Sequence, residues 1–151
     1  MVNVQGYNLP DDLYYSDKDL WAKIENGTAK IGITDFAQAM LEKLTYLDVI
    51  LREDEEVKFN RPFGSIQAGK GWITLYSPLS GIITEVNEAP EDNVKILNAD
   101  CYGEGWIIKI TTTKLEEELS KLFKGGTPEF IKWQEEEIER VKKINEELKK
   151  K

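Results

Sequence analysis

A lysine between two glycines, Gly69-Lys70-Gly71, is the part of this 151-residue sequence whose residue types offer chemistry. β-prone residues lie on both sides of the triplet, with Ile66 before it and Trp72-Ile-Thr-Leu-Tyr76 after it, and this pattern predicts a hairpin. Glycine permits the positive φ of a tight turn and places no side chain beside the amine. The sequence therefore predicts a primary amine at the tip of a hairpin, accessible to a modifying enzyme. An ordinary surface lysine on a turn is the alternative that this spacing leaves open.

Residue types that most enzymes use are missing or scarce. The chain has no histidine, which excludes Ser-His and Cys-His nucleophile pairs and imidazole proton transfer. The single cysteine, Cys101, excludes an intrachain disulfide and a cysteine-rich zinc site, and we expect it to be a small buried residue. The acidic run Glu53–Glu56 favours a solvated turn over a metal site. We assign no catalytic residue and no metal site, and expect any redox or acyl chemistry to come from an attached group.

Charge and hydrophobicity narrow the class of partner. The net charge of −8 argues against a nucleic-acid-binding protein, because phosphate recognition needs a concentrated positive face. No apolar run approaches the roughly 20 residues needed to span a bilayer, and the N-terminus has no signal-peptide pattern. We therefore expect a cytoplasmic protein with neither nucleic acid nor membrane among its partners.

Short strands separated by turns dominate residues 1–113. Asn26-Gly27 lies between two alternating runs, Trp21–Ile24 and Thr28–Ile33, and is a strong hairpin signal. Thr34-Asp35 is predicted to cap a helix that continues to Leu44. Further strands are predicted at 46–51, 57–66, 72–76, 82–86 and 106–110. This spacing predicts a mainly β (α+β) domain, arranged as an antiparallel sandwich or flattened barrel.

After residue 113 the composition predicts helices. Lys114–Phe123 is a predicted helix that Gly125-Gly126 ends, and Thr127-Pro128 begins a second helix that runs to about Lys149. The second helix carries residues at paired-helix spacing: Ile131, Gln134, Ile138, Val141, Asn145 and Leu148. We divide the chain into a domain of residues 1–113 and a C-terminal helical extension of residues 114–151. The extension is expected either to pack on that domain or to serve as a docking or dimer surface.

In several sequence blocks the chain resembles the H protein of the glycine cleavage system, a lipoyl carrier. The blocks are Gly32-Ile-Thr-Asp-Phe-Ala-Gln38, Pro62-Phe-Gly64, Tyr76-Ser-Pro-Leu-Ser-Gly81, Glu85-Val-Asn-Glu88 and Tyr102-Gly-Glu-Gly-Trp106. The resemblance extends from about Leu13 to Ile110. It implies a barrel-sandwich hybrid, the lipoyl-domain fold, with Lys70 as the lysine that carries lipoate through an amide bond.

The resemblance also implies a function. A non-catalytic carrier of this kind receives an aminomethyl group from glycine decarboxylase and presents it to the aminomethyltransferase. It then returns reducing equivalents to dihydrolipoyl dehydrogenase, and a lipoylating enzyme attaches the cofactor. The physical advantage is a tethered, locally concentrated substrate on a flexible arm.

The sequence departs from the family pattern around the lysine. Gln67 stands where the family has an acidic residue that lipoylating enzymes recognise, and Leu20 and Thr74 stand where it has acids. Losing those acids removes partners for an amine carried on the arm. One alternative is therefore an H-like lipoate-binding protein that carries sulfur intermediates for a heterodisulfide-reductase-like sulfur oxidation complex.

Another alternative is a binding or scaffold module without lipoate. Its functional features would then be the helical extension and the hairpin context of Gln67, Gly69 and Gly71. Trp72, which follows the turn, is predicted to pack against the sheet, and shielding of a returning lipoyl arm is the alternative for this residue.

Overall fold

Over residues 2–69 and 71–149, which the computed structural model describes, the chain forms twelve strands and five helices. The strands are β1 (Val2–Val4), β2 (Tyr7–Leu9), β3 (Tyr14–Tyr15), β4 (Leu20–Glu25), β5 (Thr28–Ile33), β6 (Leu44–Val49), β7 (Glu56–Val57), β8 (Pro62–Ala68), β9 (Gly71–Tyr76), β10 (Gly81–Val86), β11 (Ile108–Thr112) and β12 (Phe123–Lys124). The helices are α1 (Asp35–Leu41), α2 (Glu88–Asp92), α3 (Lys95–Ala99), α4 (Leu115–Leu119) and α5 (Pro128–Lys149). None of the described helices is long and apolar enough to cross a membrane.

The strands form two main sheets and a small one. The larger sheet has the order β12-β3-β4-β5-β11-β10-β7, the second has the order β6-β8-β9, and β1 pairs with β2. The described strand pairs are all antiparallel. The prediction of a mainly β domain built from short antiparallel strands is confirmed.

One hydrophobic cluster joins the two main sheets. Ile31 and Ile110 from the larger sheet, with Leu47, Ile66 and Leu75 from the three-stranded sheet, belong to it and are at most 2 % exposed. Burying a side chain of this size contributes roughly 1.5–3 kcal/mol. The three-stranded sheet is therefore held firmly on its inner face, while its outer face is available to solvent.

The local signals in the first half of the chain have the predicted consequences. Asn26 and Gly27 both have positive φ, 48° and 78°, and join β4 to β5, as a hairpin turn of this kind requires. Thr34 caps α1, because its side-chain oxygen accepts a hydrogen bond of 3.1 Å from the Ala37 backbone N–H. Helix α1 ends at Leu41, before the predicted end at Leu44, since the next residue leaves the helical conformation and Leu44 begins β6.

The predicted helix over Lys114–Phe123 is wrong in its second half. Helix α4 ends at Leu119, and Phe123 instead pairs with Tyr15 in β3. The aromatic ring of Phe123 lies 5.1 Å from that of Trp133, between ring centroids. Pairing and ring contacts with distant residues therefore override the local helical preference.

Helix α5 begins as the sequence predicts and lies along the domain for about half its length. The hydroxyl oxygen of Thr127 accepts from the Phe130 N–H at 3.3 Å, and Pro128 is the first helical residue. Phe130, Gln134 and Ile138 are at most 1 % exposed, whereas residues 142–148 are all exposed. The boundary at residue 113 and a docking role for residues 114–151 stay predictions.

Candidate functional site

The candidate site lies where β8 turns into β9. The register of this pair ends with Ala68 opposite Gly71, so residues 69 and 70 join the strands. The Gly69 N–H donates to the Lys43 carbonyl at 3.3 Å, which ties the start of the turn to the chain before β6. Lys70, the predicted attachment residue, lies outside the described residues. The described geometry of the site is therefore that of the residues around Lys70.

The two glycines differ in what they contribute. Gly71 has φ 137°, a conformation that L side chains rarely adopt. Gly69 has no positive φ, and a Cβ built at either glycine meets no atom within 4 Å. Gly71 therefore permits the backbone path, while Gly69 leaves the turn uncovered. The predicted need for a positive φ holds for Gly71 alone.

The base of the hairpin is tightly packed. Ile66 and Leu75 are fully buried in the core shared by the two sheets. At Gly64 in β8, an added Cβ would lie 2.5 Å from the Asp48 carbonyl oxygen, so only glycine allows this close approach of β6. The open turn is thus carried on a rigid two-strand support.

Three exposed side chains form a row beside the turn. In the strand register Tyr46 lies opposite Gln67, and Gln67 lies opposite Trp72. Directly opposed residues share one face of a sheet, and this face points away from the core. Tyr46 is 52 % exposed, Trp72 is 68 % exposed and Gln67 is also exposed. The prediction that Trp72 packs against the sheet is wrong, because the inward positions of β9 are taken by Ile73 and Leu75.

Two of the departures from the family pattern have distinct surroundings. Leu20 is fully buried in the core, in the larger sheet. Thr74 is half-buried in β9, opposite Ser65, in the row next to the exposed one. Neither position offers a carboxylate.

The remaining candidates for intrinsic chemistry are inert or solvated. Cys101 is buried at 6 % exposure, as expected, and burial raises the pKa of its thiol to about 12. It is therefore not the thiolate that redox chemistry requires at neutral pH. The acidic run 53–56 is exposed, as predicted. Within the described residues no group of three or more acidic, histidine or cysteine side chains could hold a metal ion.

Tyr46 is the member of the site that sequence reasoning missed. It enters the row only through the pairing of β6 with β8, and that pairing is irregular between Leu44 and Tyr46. An alternating pattern predicts which residues share a face of one strand. It does not give the register between strands that are distant in sequence.

Comparisons with known proteins agree with this architecture. The family model described as glycine cleavage H-protein matches residues 13–135. The glycine cleavage system H protein of Salinibacter ruber is 42 % identical over 105 residues, covering 68 % of this chain and 82 % of the relative. A probable glycine cleavage system H protein of Thermococcus gammatolerans is 39 % identical over 123 residues, covering 81 % of this chain and 90 % of the relative. The crystal structure of a glycine cleavage system H protein from Mycobacterium marinum has a TM-score of 0.71 and 28 % identity, covering 83 % of this chain and 98 % of that one.

The two packed antiparallel sheets have the architecture of a barrel-sandwich hybrid, the lipoyl-domain fold, and the solved structure matches this fold over most of both chains. Within that class, the chain belongs to the glycine cleavage H-protein family. Membership supports the role of a non-catalytic lipoyl carrier in glycine cleavage.

The residues around the turn fit a lipoyl group. A long, flexible and uncharged acyl arm needs an accessible amine, and a Cβ built at Gly69 or at Gly71, on either side of Lys70 in the sequence, meets no atom within 4 Å. The exposed row that begins at Trp72 adds no carboxylate beside the turn.

Proposed function

We propose that this chain carries lipoate in amide linkage on Lys70 and acts as a tethered substrate in glycine cleavage. The observation that carries the proposal is the open glycine turn on a packed β8–β9 support. When attached, lipoate supplies a dithiolane that interconverts with a dithiol and accepts the carried group. The chain's own residues hold that group at a fixed site and add no catalytic side chain.

The partners follow from this role. Glycine decarboxylase would load the carrier, aminomethyltransferase would unload it, and dihydrolipoyl dehydrogenase would reoxidise it in the cytoplasm. A lipoylating enzyme must also accept Gln67 where the family has an acid. Because Gln67 is exposed on the outer face of β8, it is accessible to that enzyme as a neutral hydrogen-bonding side chain.

One observation favours a second cargo. Leu20 is buried in the core at the position where the resemblance implies an acid, and Thr74 replaces another acid. An amine on the arm would therefore find neither of these carboxylates. A sulfur species has no ammonium to neutralise, so carriage of sulfur intermediates for a heterodisulfide-reductase-like complex is the second candidate.

Intact-mass measurement tests lipoate attachment. The full chain and the Lys70→Ala and Lys132→Ala variants are produced in a host that makes lipoate. Lys132 is an exposed lysine on α5 and serves as the matched control. We expect the wild type and Lys132→Ala to gain one lipoyl unit and Lys70→Ala to gain none. A wild-type chain without this gain would leave the scaffold interpretation in place.

An exchange assay separates the two cargoes. Lipoylated protein is mixed with purified glycine decarboxylase, and the glycine-dependent exchange of bicarbonate is followed. Exchange that requires the lipoylated chain supports the glycine cleavage role. A fully lipoylated but inactive chain counts against it and directs the search to sulfur-oxidation subunits.

A further inference from the structure

The exposed row at the hairpin concentrates aromatic surface at one place. In the described part of the chain, five large hydrophobic side chains are exposed, and two of them are Tyr46 and Trp72. The other three exposed large hydrophobic side chains are Ile50, which directly follows β6, and Ile144 and Leu148 on α5. Only Tyr46 and Trp72 stand in one cross-strand row, on either side of Gln67.

Packing within the chain does not account for these two rings. Neither residue belongs to a hydrophobic cluster of the described structure, and neither ring stacks on another aromatic ring there. The row is also narrow, since its centre is the polar side chain of Gln67. A stable protein–protein interface buries on the order of 800 Å² per partner, which is far more than two side chains provide. The row suits a small apolar group.

A small apolar group is expected beside this row. Trp72 follows Lys70 by two residues, so their Cα atoms are at most about 7 Å apart by chain length alone. A group tethered to Lys70 has a high local concentration at Trp72. Divalent sulfur makes favourable contacts with aromatic rings, and a dithiolane is a ring with two such atoms.

We propose that Trp72 and Tyr46 form an aromatic rest on which the oxidised dithiolane of the lipoyl group lies between encounters with partner enzymes. This inference depends on the proposed attachment of lipoate to Lys70. The contact is noncovalent and consumes no reactant. It keeps the disulfide close to the hairpin, and reduction to the more polar dithiol weakens the contact.

Tryptophan emission reports on this contact because a disulfide quenches an indole ring that it touches. Lipoylation of the full chain is first verified by intact mass, and emission is then compared before and after reduction of the dithiolane with a phosphine. We expect emission to rise on reduction in the wild type. The rise should disappear in Trp72→Phe and persist in Trp106→Phe, which removes a half-buried tryptophan outside the row.

A second pair of variants tests the neighbouring ring. Tyr46→Ala should diminish the rise in emission, because this substitution removes one of the two rings of the aromatic rest. Ile50→Ala removes another exposed apolar side chain near the same strand and should leave the rise unchanged.

The outcomes separate this inference from the proposed function. A verified lipoyl group with the same rise in Trp72→Phe as in the wild type would overturn the aromatic rest and leave the carrier role intact. A chain without a lipoyl group would contradict both the aromatic rest and the proposed carrier function. A rise in tryptophan emission in Lys70→Ala would also overturn the aromatic rest. So would a Trp72 signal that appears only when glycine decarboxylase is added, and that result would favour partner docking.

Discussion

Tyr15 and Phe130 stack face to face, with ring centroids 4.2 Å apart and planes inclined by 9°. Tyr15 belongs to β3 near the N-terminus and Phe130 to the first turns of α5, so this one contact joins the two ends of the chain. Both residues lie in a second hydrophobic cluster, distinct from the one that joins the two main sheets, and this second cluster also contains Trp21 and Phe36. The C-terminal helix therefore closes a core that the first strands leave open.

Truncation of Phe130 should destabilise the whole chain. Phe130 is fully buried, and Phe130→Ala removes a large side chain from a packed site, which typically costs about 3–5 kcal/mol. Ile144→Ala, on the exposed part of the same helix, should change stability by less than about 0.5 kcal/mol. Urea unfolding followed by circular dichroism measures both. Equal, small effects of the two substitutions would mean that α5 does not stabilise the domain.

The second prediction concerns a buried carboxylate on α4. Glu118 is 4 % exposed and accepts hydrogen bonds from the Ser80 backbone N–H at 2.7 Å and from the Ser80 hydroxyl at 2.5 Å. Glu118→Ala leaves a buried backbone donor without its acceptor, and the loss is expected to cost about 1–3 kcal/mol in the free energy of unfolding. The exposed neighbour Glu116 is the control, because Glu116→Ala removes the same charge from the same helix.

The turn glycines give a matched pair. Gly71→Ala should be unfavourable because φ at this position is 137°, and holding an L residue in such a region costs on the order of 1–3 kcal/mol. Gly69→Ala should be nearly neutral, since Gly69 has no positive φ and the space around it is open. Unfolding free energies of the two variants provide the comparison. A larger loss for Gly69→Ala than for Gly71→Ala would contradict this assignment of roles.

Signals within a few residues of one another predicted much of the fold. The Asn26-Gly27 turn, the Thr34 cap and the start of α5 at Pro128 each depend on the conformational preferences of adjacent residues. Phe123 did not follow its local pattern, because its backbone pairs with Tyr15, far away in sequence. The sequence alone gives no measure of how strongly such distant pairing competes with a helix.

At the candidate site, the sequence predicted the turn formed by the residues adjacent to Lys70, but it did not predict which side chains are exposed beside that turn. Gly69 and Gly71 indicated the turn, and the structure has the β8–β9 hairpin there. The exposure of Trp72 was predicted wrongly, because an aromatic residue in a strand ordinarily packs on a neighbour. Lys70 carries the central proposal and lies outside the described residues, so its attachment role depends on the mass measurement.

The last prediction concerns pH and the carboxyl of Asp19, in the loop before β4. Asp19 is only partly exposed, has a left-handed φ of 65°, and its Oδ1 makes no hydrogen bond within the described part of the chain. Burial raises the pKa of its carboxyl to about 7, and the negative charge of Glu137 adds to the rise, while Arg140 opposes it. The charged form of Asp19 is therefore disfavoured in the folded protein.

Because the folded pKa of Asp19 lies above its unfolded value of about 4, the folded state holds the proton more tightly than the unfolded state. The contribution of Asp19 to the free energy of unfolding is therefore fully present below pH 4 and is lost as the pH rises to about 7. The slope of this loss is at most about 1.4 kcal/mol per pH unit. Asp19→Asn removes this titration, so the stability difference between Asp19→Asn and the wild type should grow in favour of the variant between pH 4 and pH 7 and then stay constant. Urea unfolding at several pH values measures this difference, with Asp92→Asn, an exposed aspartate of α2, as control. A pH-independent difference for Asp19→Asn would show that this carboxylate is solvated in the folded protein.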